Sequence, residues 1–199
     1  MSKVNLENKY NLVLGAGKYG KSYLVKKTAP KRTLYINYIG ELKDFDGWLK
    51  VGRNVDMNLL GRVLHQNRKV VFTCSKDNEQ AIQEVLYLYD WAKGKGINLI
   101  LDECHVYEED KRLKRLLQNS ATHGRHDFPS ITWLSVRMAV IPNILATQAE
   151  QVIFFHTRNE KAYYSSKGIS HEEISKKING RKYYFVVVTD DSISEAKKL

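Results

Sequence analysis

A short apolar run, Tyr10 to Leu14, passes into Gly15-Ala16-Gly17-Lys18-Tyr19-Gly20-Lys21-Ser22 and then into Tyr23-Leu24-Val25. The loop reads G-x-x-x-x-G-K-S. No other segment limits the fold so sharply, because strand, glycine loop and helix in that order already make a βα unit. Glycines let backbone N–H groups close around a phosphate, and the following helix aims its N-terminus at the same charge. In such a loop Lys21 reaches the β- and γ-phosphates, and the Ser22 hydroxyl ligates Mg²⁺. The expected cradle is Gly15, Gly17, Lys18, Tyr19, Gly20, Lys21, Ser22 and Tyr23, with ATP and Mg²⁺ as its ligands.

Gly15 to Gly20 also spell G-x-G-x-x-G, the dinucleotide fingerprint, which expects an acid on the second strand roughly 20 residues later. The second strand, Thr33 to Asn37, closes on Asn37, and Glu41 comes too late. That reading also leaves Lys21 and Ser22 without a role.

Strand and helix patterns alternate along the chain, which argues for an α/β fold with a mainly parallel central sheet. Strands are expected at Tyr10 to Leu14, Thr33 to Asn37, Lys69 to Cys74, Ile97 to Asp102, Ser130 to Ser135, Gln151 to His156 and Tyr183 to Val188. Ile82, Val85, Leu86 and Tyr89 recur at helical spacing, Asp77 and Gln80 resemble a capping box, and Gly94 to Gly96 stops that helix. Pro142 opens another helix, running to about Glu150. Glu41 to Asn54 has no regular pattern and reads as an inserted loop.

The strand Ile97 to Leu101 ends on Asp102-Glu103. Opposite a phosphate loop, Asp102 can hold Mg²⁺ and Glu103 can accept a proton from a water attacking the γ-phosphate. The extra strand at Lys69 to Cys74 is expected to put one strand between the phosphate strand and the acidic strand. This predicts a three-layer P-loop NTPase fold, RecA-like and of the additional-strand, catalytic-glutamate type.

With 199 residues the chain suits one domain over 1–199, with a core at about 8–160 and a C-terminal extension carrying one further strand over 161–199. No apolar run reaches the length of a membrane span, so a soluble, intracellular protein is expected. Cys74 and Cys104 suit buried thiols better than a disulfide framework or zinc site. A net charge of +10 points to a polyanionic partner, since phosphate backbones reward clustered Lys and Arg. Candidate contacts are Lys111, Arg112, Lys114 and Arg115 on a helix with buried Leu113, Leu116 and Leu117, and Lys176, Lys177, Arg181 and Lys182. A solvated face is the other reading of both runs.

Beyond the acids come Gly124-Arg125-His126, a strand ending before Val136-Arg137, Ile141-Pro142, and Gln148-Ala149 ahead of Val152 to His156. With the phosphate loop and Leu101-Asp102-Glu103-Cys104-His105, this ordered set resembles the HerA/FtsK group of DNA-pumping ATPases, and most of all its small viral genome-packaging ATPases. The likeness covers about residues 8–160. It implies ATP hydrolysis, an oligomeric ring, sequence-independent translocation of double-stranded DNA into a capsid, and capsid or membrane-vesicle proteins as further partners. It places the protein in host cytoplasm or with the virion. Arg125 matches the position of a trans-acting arginine finger. The family usually ends the strand that follows with a γ-phosphate-sensing glutamine; here Val136 occupies the matching position with Arg137 beside it, and Ser135 and Arg137 are the candidates to replace it. Two other classes stay open: a phage-assembly or secretion ATPase similar to zonula-occludens-toxin-like proteins, and a nucleotide-dependent switch without motor activity.

Overall fold

The computed structural model describes residues 4–38, 45–136, 141–157, 171–189 and 192–199. The chain runs β1 (Tyr10–Leu14), α1 (Lys21–Thr28), β2 (Thr33–Asn37), β3 (Leu49–Val51), α2 (Met57–His65), β4 (Val70–Thr73), α3 (Asn78–Ala92) and β5 (Asn98–Leu101). A 3₁₀ turn (Val106–Glu109) then leads to α4 (Lys111–Thr122), α5 (Gly124–Asp127), β6 (Ile131–Ser135), α6 (Asn143–Gln148), β7 (Gln151–Phe154), α7 (His171–Ile178), β8 (Tyr184–Val188) and β9 (Lys197–Lys198).

The sheet order is β3-β4-β2-β5-β6-β1-β7-β8-β9. Strands β1 to β7 are parallel, and β8 and β9 are added antiparallel. Both faces of the parallel strands are covered, so they read as continuous apolar runs. Leu12, Leu34, Ile36, Leu99, Leu101 and Trp133 pack with Leu60 and Leu64 of α2, Val85 of α3, Leu113 and Leu117 of α4 and Leu145 of α6. On the other face, Val13, Tyr35, Val71, Ile100, Leu134 and Ile153 pack against Leu24 and Val25 of α1 and against Phe45 and Trp48. These are the three layers expected.

One strand does separate the phosphate strand from the acidic strand, but it is β6, not the Lys69 to Cys74 strand. β4 pairs with the outer side of β2, and β6 lies between β1 and β5. The reason is connectivity: a crossover returning from α4 and α5 can enter between strands already laid down, which local pattern does not encode. The supposed inserted loop contributes β3, an edge strand of only three residues pairing with β4. Helix α2 was also unanticipated, although Asp56 caps it by accepting from the Asn58 N–H at 2.8 Å and Leu60 and Leu64 fall at i, i+4. Helix α3 has the anticipated cap, with the Gln80 N–H donating to Asp77 at 2.9 Å. Both cysteines are free and buried, and burial pushes the Cys74 thiol up to about 12.

Candidate active site

Parallel strands deliver their C-terminal ends to one edge of the sheet, and ligand sites in open α/β sheets form there. β1 ends at Leu14, in register with Ser135 of β6 and Phe154 of β7. The loop that follows is anchored to both neighbours: the Gly15 N–H donates to the Ser135 carbonyl at 3.2 Å and the Ala16 N–H to the His156 carbonyl at 2.8 Å. A Cβ at Gly15 would sit 2.5 Å from the Phe155 Cβ, so only glycine allows this approach. Gly17 and Lys18 are exposed, and Tyr19 is half-buried with its ring centroid 4.9 Å from that of His156. Gly20 precedes α1 at φ 113°, with no side-chain cap and no acid in the first turn. Uncapped N–H groups at a helix start favour an anion.

The Lys21 ammonium is buried and donates to the Gly15 carbonyl at 2.6 Å. Burial holds its pKa below the ordinary lysine value, opposed by Glu103 and Asp102. Across β6, Asp102 follows β5 and is 8 % exposed. Its Oδ1 accepts the Glu103 N–H at 2.8 Å, and its Oδ2 accepts the Tyr35 hydroxyl. That hydroxyl is also within reach of the Ser22 side chain. One buried tyrosine from β2 therefore links the start of α1 to the end of β5, bringing Lys21, Ser22, Asp102 and Glu103 together. Ser22 itself is exposed. Ser22 and Asp102 supply oxygen donors suited to Mg²⁺, which keeps several waters and takes other oxygens from phosphate. Among the described residues no group of three or more His, Cys, Asp and Glu is placed to hold a metal, so no all-protein cage is present.

Glu103 adopts φ 53°, a left-handed conformation that strains a non-glycine residue and recurs at functional sites. It is pinned on both sides: the Asp102 N–H donates to the Ile36 carbonyl at 3.1 Å and the Cys104 N–H to the Leu134 carbonyl at 2.8 Å. Its carboxylate Oε2 lies 3.2 Å from His105 Nδ1. Burial raises its pKa, with Lys21 opposing.

Burial, then repulsion from Glu103, lifts the Asp102 carboxyl from its ordinary 3.8 to about 6. The folded state then keeps a proton that the unfolded chain releases across that interval, so stability falls as pH rises through it. The rise is worth about 3 kcal/mol. Asp102→Asn is accordingly expected to match the parent near pH 4 and to exceed it by about 3 kcal/mol near pH 7 in nucleotide-free urea melts. Coincident curves at neutral pH would refute this burial effect.

Arg125 does not join this group. It sits on the short α5 with its guanidinium 5.4 Å from the Tyr10 ring, 3.4 Å from the Gln148 carbonyl and 3.9 Å from Glu150 Oε1. Tyr10 opens β1, so Arg125 occupies the opposite edge of the sheet, roughly 13 Å along the strand from the phosphate loop. Ser135 is buried at the end of β6 beside the loop, and Arg137 lies outside the described residues.

Sequence reasoning missed Tyr35 and Asn37. Tyr35 looked like one more apolar strand residue, and only its alternation with Leu34 and Ile36 hinted that it faces α1. Asn37 follows on the same face, and its buried amide nitrogen lacks a partner among the described residues. The nominated basic runs are partly neutralised: Arg112 forks onto Glu79 at 2.7 Å, Lys114 reaches Glu108 at 2.7 Å and Lys176 reaches Glu172 at 3.0 Å. A different cluster stands out. Lys26, Lys27, Lys31, Arg68 and Lys69 line a groove of about 970 Å³ between α1 and β3, where Asp46 is the one acidic lining residue. No described carboxylate pairs with these five.

No protein-family model matches the sequence, and no curated protein matches it. Solved structures do. The chain is similar to the genome packaging NTPase B204 from Sulfolobus turreted icosahedral virus 2, in complex with AMPPCP, at TM-score 0.66 and 18 % identity over 96 % of this chain and 98 % of that one. A second B204 structure, described as the DNA-packaging ATPase from Sulfolobus turreted icosahedral virus, matches at TM-score 0.66 and 19 % identity over 98 % and 99 %. ATPases 2 and 3 of EssC from Geobacillus thermodenitrificans match at TM-score 0.54 and 14 % identity over 97 % of this chain but 40 % of that one. The fold is that of a RecA-like P-loop NTPase, and the resemblance to small viral genome-packaging ATPases extends over nearly the whole chain in three dimensions.

Proposed function

We propose that this chain is an ATP-hydrolysing translocase of double-stranded DNA, packaging a viral genome into a capsid as a ring of identical subunits. The observation that carries the enzymatic part is the convergence of Lys21, Ser22, Asp102 and Glu103 around the Tyr35 hydroxyl. ATP enters with its phosphates against the loop amides and the start of α1. Lys21 exchanges the Gly15 carbonyl for β- and γ-phosphate oxygens, which restores a full partner to a buried cation. Mg²⁺, held by Ser22 and Asp102, would supply charge neutralisation between the β- and γ-phosphates. Glu103 takes the proton of a water whose oxygen bonds to the γ-phosphorus while the bond to the ADP oxygen breaks. The strained, pinned backbone at Glu103 fixes its carboxylate for that task, and the nearby His105 orients it.

The solved relatives support the further steps by fold alone: B204 is described as a DNA-packaging ATPase. Charge supports a nucleic-acid partner independently. The basic groove begins one turn after the phosphate loop on α1, and a polyanion seated there would meet five cations and one acid. Among the described residues no helix is long and apolar enough to cross a membrane.

Two measurements test the proposal. Hydrolysis should rise when double-stranded DNA is added at low salt. Charge reversal of Lys27 and Lys69 to Glu should weaken DNA binding and leave DNA-free hydrolysis intact. The slope of log affinity against log salt should become shallower by about 0.9 for each phosphate no longer neutralised. A motor reading does not survive if hydrolysis ignores DNA. Unchanged binding in the charge-reversed protein would remove the groove from the DNA path.

A further inference from the structure

The phosphate loop is flanked on one side by residues the hydrolytic chemistry does not use. A Cβ at Gly20 would lie 2.5 Å from Leu199 Cδ1 and 3.1 Å from Tyr183 Cδ1. Both side chains come from the antiparallel addition to the sheet, and they are tied together by the Leu199 N–H, which donates to the Tyr183 carbonyl at 2.9 Å. Tyr183 holds φ 63°, an unfavourable conformation for an aromatic residue. The residue is nevertheless 48 % exposed. Strain here does not bury the ring in a core; it stands an open aromatic surface against the last glycine of the loop.

The direction of the triphosphate gives that surface a ligand. Asp102 and Glu103 follow β5, two strands to one side of β1, so a terminal phosphate near them points the nucleoside the other way. In that direction the sheet order runs β7, β8, β9; His156 follows β7, Tyr183 precedes β8 and Leu199 follows β9. Tyr19, ring-paired with His156, borders the loop on the same side.

We propose that Tyr183, backed by Leu199, is the platform on which the nucleobase of the bound triphosphate stacks, so that the C-terminal strand pair completes the nucleotide site. The proposal rests on the phosphate-loop reading above. It adds that affinity for the nucleoside half comes from stacking, which accepts any base with a broad π-face. Purine nucleotides should therefore bind better than pyrimidine nucleotides.

Calorimetry with the full chain, Mg²⁺ and either ATP or inorganic tripolyphosphate tests it. Tyr183→Ala should weaken ATP about ten- to hundredfold and leave tripolyphosphate unchanged. Tyr183→Phe should restore ATP affinity. Tyr183→Leu, which keeps bulk against Gly20 but has no π-face, should behave like Tyr183→Ala and serves where the smaller side chain does not fold. Parent-like ATP affinity in both non-aromatic variants, or equal loss of ATP and tripolyphosphate, overturns the platform. Lys21→Ala separates the two levels: if it weakens neither ligand, the phosphate-loop reading itself fails.

Discussion

Glu103→Gln is expected to bind ATP with near-parent affinity and to lose turnover by about 10²–10⁴-fold. The amide keeps the size and hydrogen-bonding reach of the carboxylate but cannot take a proton from water. Neither the left-handed backbone nor the hydrogen bonds on either side of it involve the side chain, so the local fold should persist. Phosphate release under saturating Mg-ATP, paired with an equilibrium binding measurement, checks both halves. Parent-like turnover would remove Glu103 as the base. The same residue predicts a pH effect: burial raises its pKa, and only the ionised form accepts a proton, so turnover should climb with pH above the ordinary carboxylate range.

Arg125→Ala should lower turnover by about 10³–10⁵-fold, the range for removal of an arginine finger, without weakening ATP binding by the isolated subunit. The location explains both outcomes. Arg125 stands at the sheet edge opposite its own phosphate loop, exposed, and held there by the Tyr10 ring face, the Gln148 carbonyl and a 3.9 Å approach to Glu150. Such an exposed pairing is weak, at most about 1 kcal/mol, so the guanidinium can leave it for a neighbouring subunit's γ-phosphate. Mixing Arg125→Ala with Glu103→Gln subunits decides the matter. Interfaces that combine an intact base with an intact finger should recover part of the turnover that neither variant has alone. No recovery in assembled mixtures would confine Arg125 to a structural role.

Legibility tracked how local the controlling physics was. The glycine loop, the cap at Asp77, the leucine face of α4 and the acids ending β5 are set by contacts within a few residues, and all were visible in the bare sequence. The edge strand β3 was not, because three residues carry too little alternation to stand out. The basic groove beside α1 was missed for another reason. Runs of Lys and Arg are conspicuous in sequence, but their Glu and Asp partners lie far along the chain or a turn away, as Glu79 does for Arg112. The groove's cations are scattered over α1 and the segments leading into β2 and β4, and meet only once the sheet is assembled.

By itself, the amino-acid order determined the alternating α/β plan, the glycine turn after β1 and the two acids that end β5, since each follows from short-range backbone geometry and side-chain chemistry. Tertiary structure alone decided that β6 separates β1 from β5, that Tyr35 joins Ser22 to Asp102, that Arg125 faces away from its own site, and that Tyr183 and Leu199 border Gly20. Each of these depends on which distant strands become neighbours. That choice is made by the packing of whole helices onto both faces of the sheet, a property no local pattern carries.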